Sequence, residues 1–156
     1  MTKEEIMQLG VEEASKTMKE NKGGPFGAVV VKDGEIIAVS SNHVLANNDP
    51  TAHAEIMAIR KACEKLGTYD LTGCELYATG YPCPMCMGAI IWANIKKVYV
   101  SGLPKDCEGI GFRDDFIYNF IQNGCADATV LEIEEMDRKP AQDLYAEYGE
   151  LNKVIY

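Results

Sequence analysis

The sequence predicts an α/β protein, a three-layer α/β/α sandwich around a mixed sheet of about five strands. Three observations predict this fold. Apolar residues switch along the chain between helical and strand spacing. A hairpin signal joins the first two predicted strands, and each of the last three predicted strands follows a predicted helix. The hairpin gives antiparallel neighbours, whereas the helix-linked strands favour parallel ones, so we expect helices on both faces of a mixed sheet.

The first part of the chain predicts one helix and a hairpin. Residues 2–21 repeat apolar positions at helical spacing, and the Gly-Gly-Pro sequence at 23–25 ends that helix. The sequence PFGAVVVKDGEIIAVSSN then predicts two strands, because its Asp33-Gly34 dipeptide is typical of a tight hairpin turn.

The rest of the chain alternates helices and strands. Residues 54–66 predict a helix that stops at Gly67, and CELYATGY predicts a short strand. Pro84 suits the first turn of the next helix, which continues through MCMGAIIWANI. KKVYVSGL predicts a strand, residues 113–122 predict a helix, and ATVLEIEEM predicts a further strand. The segment from Pro140 onwards is mixed helix and tail.

Composition and charge limit the function classes. The chain has 156 residues, of which 47% are hydrophobic, and this suits one domain spanning 1–156. Its formal net charge is −9, whereas nucleic-acid binding usually needs a basic surface, so we expect no tight nucleic-acid partner. The N-terminal residues lack the apolar core of a signal peptide, and no apolar stretch reaches membrane-spanning length. We therefore expect a cytoplasmic protein that does not bind a membrane.

The six cysteines are expected to be reduced thiols or metal ligands, because no secretory signal is evident. Only Cys83 and Cys86 have the spacing of metal ligands. The other four are interpreted as buried side chains, namely Cys63, Cys74, Cys107 and Cys125.

Two short segments carry the candidate chemistry. Residues 51–55 precede one predicted helix, and residues 82–86 begin another. His53, Cys83 and Cys86 offer the one nitrogen and two sulfurs of a three-ligand zinc site, which leaves a fourth position open for water. The arrangement His-x-Glu followed by Pro-Cys-x-x-Cys is the signature of zinc nucleobase deaminases.

Glu55 completes this constellation without being a ligand. Glu55 lies two residues after His53 in the sequence. The Glu55 carboxylate can therefore sit beside the metal-bound water, take a proton from it and return the proton to the substrate. Each residue alone has a plainer interpretation, such as a packing histidine, a redox cysteine pair or a carboxylate at a helix N-terminus. Their combination in this order favours a hydrolytic zinc site. A structural zinc site would need four protein ligands, and the only other histidine is His43.

Further segments extend the pattern beyond the zinc motif. They are GGPFGAVVVKDG, NNDPTAHAE, AIRKAC, LYATGYPCPMCMGAI and GFRDDFIY, and the chain ends in NKVIY. Together they resemble the bacterial guanine deaminases of the cytidine-deaminase-like zinc superfamily. The resemblance implies one zinc ion per chain and hydrolysis of guanine to xanthine and ammonia by zinc-activated water, with Glu55 as the proton shuttle. It also implies a homodimer in which the C-terminal tail, residues 140–156, closes over the partner's site.

The resemblance also implies which residues contact the base. Asn42 matches a residue that hydrogen-bonds the base, and Ala54 matches a position whose backbone contacts it. Asp114 matches a carboxylate that would accept hydrogen bonds from the N–H donors of guanine. Such a carboxylate would favour guanine over adenine, which presents an acceptor at N1.

Three aromatic positions and two departures complete the resemblance. Phe26 and Trp92 match aromatic residues that line the base pocket, and Tyr156 matches a terminal residue that reaches the site. Tyr81 stands where many relatives have a glutamate, which bears on the hydrogen bonds around the thiolates. Arg113 stands where a second acidic residue is expected, and it could pair with either of the two aspartates that follow it.

Three alternatives stay open. A tRNA adenosine deaminase shares both zinc motifs, but the net charge of −9 and the lack of a basic C-terminal helix argue against it. A deaminase of cytosine or of another aminated heterocycle would differ only in its pocket. A non-enzymatic zinc scaffold would not need Glu55. We therefore expect a small purine base as the substrate.

Overall fold

The computed structural model describes residues 1–156, which form two compact units, Met1–Asp115 and Phe116–Tyr156. The elements of the first unit, in chain order, are α1 (Lys3–Lys19), β1 (Gly27–Lys32), β2 (Glu35–Ser41), α2 (Val44–Asn47), α3 (Ala54–Leu66), β3 (Cys74–Gly80), α4 (Pro84–Trp92), β4 (Lys97–Gly102) and α5 (Pro104–Gly109). Helix α6 (Asp115–Gln122) begins at the last residue of the first unit, and α7 (Arg138–Glu150) lies in the second.

The sheet is mixed, as the sequence predicted. Its strand order is β2-β1-β3-β4, with β1 antiparallel to both β2 and β3, and β3 parallel to β4. The predicted hairpin turn is present between β1 and β2. Asp33 and Gly34 both have positive φ, at 49° and 79°, which is the backbone geometry of a type I′ hairpin turn.

The sheet has four strands rather than about five. The predicted strand ATVLEIEEM, residues 128–136, contains a turn followed by residues without regular structure. A strand needs a neighbour to receive its backbone hydrogen bonds, and this segment has none in the single chain. Strand β4 is therefore an edge strand. Two short helices, α2 and α5, were not predicted, because four to six residues are too few to show helical periodicity.

The two faces of the sheet are covered by different helices, as a three-layer fold requires. Successive β1 residues alternate between the faces. Val29 and Val31 pack with Ile6 of α1 on one face, while Ala28 and Val30 belong to the core on the other face. That second core also contains three buried alanines of α3, which let this helix lie close to the sheet: Ala54, Ala58 and Ala62.

Local sequence signals explain where the main helices begin and end. Helix α1 starts with a capping box, in which Glu5 N–H donates to Thr2 Oγ1 at 3.1 Å and Thr2 N–H donates to Glu5 Oε2 at 2.7 Å. Helix α3 ends at Gly67, which has a left-handed φ of 66°. Pro84 occupies the first turn of α4. No helix of the structure combines the length and the apolar character that crossing a membrane demands.

One glycine contact sets how closely α1 approaches the sheet. A Cβ atom added to Gly27 would overlap the carbonyl oxygen of Gly10 and would lie 2.7 Å from its carbonyl carbon. A side chain at this position would therefore force the helix away from β1. The contact belongs to the packing of the fold and lies on the α1 face of the sheet.

Candidate active site

The N-termini of α3 and α4 bring the predicted metal ligands together. His53 is the N-cap residue of α3, Cys83 is the N-cap residue of α4, and Cys86 lies in the first turn of α4. Neither side chain makes the capping hydrogen bond that an N-cap residue often makes to its own helix. The positive end of the α4 dipole also favours thiolates at this position.

The three donor atoms have the spacing of a zinc site. Nδ1 of His53 lies 3.5 Å from Sγ of Cys83 and 3.5 Å from Sγ of Cys86, and all three atoms lie within 4.8 Å of one another. Tetrahedral zinc with ordinary Zn–S and Zn–N bonds would place a nitrogen and a sulfur about 3.6 Å apart. One histidine nitrogen and two cysteine sulfurs grouped in this way are therefore suited to hold a zinc ion.

A hydrogen bond between Cys83 and Cys86 shifts the pKa values of the two thiols in opposite directions. The Cys86 thiol hydrogen-bonds Cys83 and, together with His53, lowers the pKa of Cys83 to about 4. The same hydrogen bond, with burial, raises the pKa of Cys86, while the hydrogen bond with Cys83 raises the pKa of His53. The two thiols are therefore electrostatically coupled, with Cys83 the one that ionises more readily. A bound divalent ion would allow both sulfurs to be thiolates, because metal binding displaces thiol protons.

Glu55 lies in the first turn of α3 and is only 7% exposed. Burial raises the pKa of its carboxyl, and the Cys86 thiol hydrogen-bonds it. Glu55 does not belong to the cluster of three metal-ligand side chains, His53, Cys83 and Cys86. A carboxyl that is buried beside the ligands, without being one of them, is placed to exchange protons with a group bound at the metal.

Asn42 follows β2 directly and is also 7% exposed. Its Oδ1 accepts a hydrogen bond from the N–H of Val44 at 3.0 Å, and its own N–H donates to the carbonyl oxygen of Phe26 at 3.0 Å. The side chain is therefore held in one orientation. Ala54, the first residue of α3, is fully buried between His53 and Glu55.

An aromatic pair includes one residue that sequence reasoning missed. The rings of Phe26 and Phe112 meet edge to face with their centroids 5.1 Å apart. Gly24 and Gly80 leave room for this pair, because a Cβ on Gly24 would lie 3.1 Å from both rings and one on Gly80 would lie 3.1 Å from Phe26. The only sequence signal for Phe112 was an apolar residue in the GFRDDF segment, two positions before Asp114.

Asp114 lies near the thiol cluster. Partial burial raises the pKa of its carboxyl, and the negative charge of Cys83 raises it further. The neighbouring Arg113 pairs with Asp115, at 2.8 Å and 3.2 Å, and lies 3.5 Å from Glu108. Arg113 therefore pairs with Asp115 and Glu108 rather than with Asp114.

The other two aromatic residues are exposed. Trp92 ends α4, about 9 Å along the helix axis from Cys86, and is 73% exposed. Tyr156 is the last residue of the second unit and is 80% exposed. The single chain thus gathers the metal ligands with Glu55 and Asp114, and it leaves both of these aromatic side chains facing outward.

Comparison with known proteins places this geometry among the deaminases. Residues 1–102 match the family described as the cytidine and deoxycytidylate deaminase zinc-binding region. The chain is 48% identical over 130 residues to the guanine deaminase of Bacillus subtilis (strain 168), and the match covers 83% of each chain. It is 44% identical over 110 residues to a tRNA-specific adenosine deaminase of Aquifex aeolicus, covering 70% of this chain and 72% of that one.

A solved structure gives the same relationship in three dimensions. The X-ray structure of the Bacillus subtilis guanine deaminase aligns with a TM-score of 0.92 and 42% identity, covering 100% of this chain and 99% of that one. The similarity therefore includes residues 103–156, which lie outside the matched zinc-binding region.

Proposed function

Because the chain belongs to the cytidine and deoxycytidylate deaminase zinc-binding family, we propose that it hydrolyses guanine to xanthine and ammonia. The observation that carries the proposal is the cluster of one histidine nitrogen and two cysteine sulfurs with the buried carboxyl of Glu55 beside it. The choice of guanine is supported by the similarity to a guanine deaminase along the whole chain. The similarity to the adenosine deaminase covers 70% of the chain.

His53, Cys83 and Cys86 would hold the zinc ion. When bound, the metal supplies a Lewis acid that lowers the pKa of a water molecule and makes it nucleophilic near neutral pH. Glu55 would take a proton from the attacking water as the water oxygen forms a bond to C2 of guanine. The same carboxyl would give this proton to the neighbouring ring nitrogen. It would then take the proton of the new C2 hydroxyl and pass it to the amino group, so that the C2–N bond breaks, ammonia leaves and a carbonyl remains at C2. Burial suits Glu55 to this role, because its raised pKa lets it hold the proton during part of the cycle.

Four further residues would position the base. The carboxylate of Asp114 accepts from the N–H donors on the edge of guanine, and an ionised carboxylate offers acceptors only. Asn42 hydrogen-bonds the base through its side chain, and Ala54 contacts it through the backbone. Phe26 would pack on the purine ring, supported by its T-shaped contact with Phe112.

We also propose that the chain acts as a homodimer in which residues 140–156 close over the partner's site. Strand β4 has an unpaired edge, and the segment 128–136 has a strand pattern without a strand partner. Many apolar side chains are exposed on α4 and in the second unit, and a second copy could cover them. They include Ile91, Trp92, Leu131, Ile133, Met136, Val154, Ile155 and Tyr156. Residues 1–156 would then be one catalytic domain whose pocket is completed by Trp92 and by the partner's Tyr156.

A reducing compartment suits this chemistry. All six cysteines are free, and the two metal ligands must stay reduced to bind zinc. These observations support a cytoplasmic location.

The test is a substrate panel. Ammonia release is measured with guanine, guanosine, adenine, cytosine, cytidine and a tRNA anticodon stem-loop, with Glu55→Ala as the control and the zinc content of both proteins determined. We expect ammonia and xanthine from guanine alone, and an inactive Glu55→Ala protein that still holds one zinc per chain. Activity on the stem-loop or on cytosine would replace the substrate but keep the zinc chemistry. Inactivity on every compound would contradict the proposal.

A further inference from the structure

Gly23 lies in tight contact with Asn42. A Cβ atom added to Gly23 would overlap both the backbone carbonyl oxygen and Oδ1 of Asn42, and would lie 2.7 Å from the carbonyl carbon. Both carbonyl groups of Asn42 therefore approach the α-carbon of Gly23. Two of the three nearest atoms belong to the backbone, so rotation of the Asn42 side chain alone would not make room for a larger residue.

Gly23 and Asn42 lie in the segments 22–26 and 42–46, which cannot easily separate. Backbone hydrogen bonds join these two segments on both sides of the contact. Before Gly23, the carbonyl oxygen of Lys22 accepts from the N–H of Ala46 at 2.9 Å. After it, the carbonyl oxygen of Phe26 accepts from the N–H of Asn42 at 3.0 Å. A side chain on residue 23 would have to break one of these bonds or displace Asn42.

The orientation of the Asn42 amide follows from its remaining neighbour. Val44 offers only an N–H donor, so the end of the amide that faces it must be the oxygen. That oxygen also faces Gly23. The NH₂ group is therefore the end of the amide that is left for another partner.

We propose that Gly23 is a positioning residue, which holds the Asn42 amide so that its NH₂ group donates to an acceptor of the bound base. The inference rests on the proposed function, in which Asn42 hydrogen-bonds the substrate. A carbonyl oxygen or an unprotonated ring nitrogen of guanine is a suitable acceptor. Asn42 would then supply a donor to the base, while Asp114 supplies an acceptor.

The first test is Gly23→Ala, compared with two other glycine substitutions. We expect KM for guanine to rise about tenfold, roughly the effect of one lost hydrogen bond, with a smaller change in kcat and unchanged zinc content. Gly27→Ala is the control for packing, because its added Cβ meets Gly10 on the α1 face. It should lower the melting temperature without raising KM. Gly109→Ala is the neutral control, because nothing lies within 4 Å of its added Cβ.

Two results would overturn the inference. One is an unchanged KM in Gly23→Ala. The other is an equal rise of KM in Gly23→Ala and Gly27→Ala, since that would mean that the effect follows loss of stability rather than displacement of Asn42.

A second measurement needs neither turnover nor a folded Gly23→Ala protein. The first N–H groups of a helix have no acceptor within the helix, so the Val44 amide is protected from hydrogen exchange only if Asn42 Oδ1 accepts from it. We expect slow exchange at Val44 in the native protein and faster exchange in Asn42→Ala. Equal rates in the two proteins would overturn the assigned orientation. Failure of the native protein to act on guanine would instead contradict the proposed function, whatever the exchange rates show.

Discussion

The two compact units of the chain differ in where their apolar side chains lie. In Met1–Asp115, buried residues form a core on each face of the sheet. In Phe116–Tyr156, only Phe120 is buried, while residues such as Ile133 and Ile155 are exposed. The first unit therefore satisfies its hydrophobic pattern within one chain, and the second does not. An exposed apolar pattern of this size indicates a surface that is covered by something outside the chain.

This difference separates the chemistry from the assembly. The three metal ligands, Glu55 and Asp114 all lie in the first unit. Most of the features that support a homodimer lie in the second unit, or at β4 and α4 on the surface of the first. Substitutions should therefore divide into those that change catalysis or folding of the single chain and those that act through association.

The largest effect is expected at Glu55. Glu55→Gln keeps the size of the side chain but removes the proton shuttle, so kcat for ammonia release should fall about a thousandfold. The matched control is Glu64→Gln on the same helix, because Glu64 is exposed. Steady-state kinetics and zinc analysis check both variants. A loss of zinc in Glu55→Gln would contradict the role assigned to Glu55 and would make it a metal ligand.

The next prediction compares the stability of the two units directly. Leu76 is fully buried in β3, so Leu76→Ala should lower the free energy of unfolding by about 2–5 kcal/mol. Ile133 is 65% exposed, so Ile133→Ala should change that free energy by no more than about 0.5 kcal/mol in the monomer. Denaturant unfolding at low protein concentration measures both. An equal loss in the two variants would mean that Ile133 is buried in its own chain.

The same contrast explains how much of the fold could be predicted. In the first unit, Asp33-Gly34, Gly67 and Pro84 act locally, so the sequence alone located a turn, a helix end and a helix start. The pattern of residues 128–136 is that of a strand, but a strand forms only beside another strand. That condition depends on what lies next to the segment, and a local pattern carries no information about it.

The residues of the candidate site also differ in whether a local sequence pattern could predict them. The zinc ligands were predictable because each pair of functional residues is close in sequence and a metal demands specific donor types at a specific spacing. The roles of Gly23 and Phe112 were not predictable, since both depend on contacts between segments that are distant in sequence. Arg113 was left with two possible partners, and only the geometry of its side chain distinguished Asp115 from Asp114.

Deletion of residues 152–156 tests whether the second unit contributes to the partner's site. We expect kcat/KM to fall about tenfold or more, because the residues that close the pocket are removed while the zinc cluster stays intact. Mixing the truncated chain with full-length Glu55→Gln should then restore part of the activity. In that mixed dimer, the truncated chain supplies Glu55 and the other chain supplies the tail. No restoration in a confirmed mixed dimer would contradict closure by the partner and would favour a tail that acts within its own chain.

The smallest effect is expected at Arg113, near the end of the first unit. Its guanidinium pairs with Asp115 and lies near Glu108, and all three side chains are half exposed. Exposed ion pairs contribute little and are screened by salt, so Arg113→Gln should raise KM only about twofold to threefold, and less so at high ionic strength. Lys16→Gln, which removes a similarly exposed pair with Glu13, is the control and should leave KM unchanged. A fall in kcat/KM that approaches the effect of Glu55→Gln and does not depend on salt would instead mean that Arg113 itself contacts the substrate. Only a charge pair shielded from solvent could produce an effect of that size.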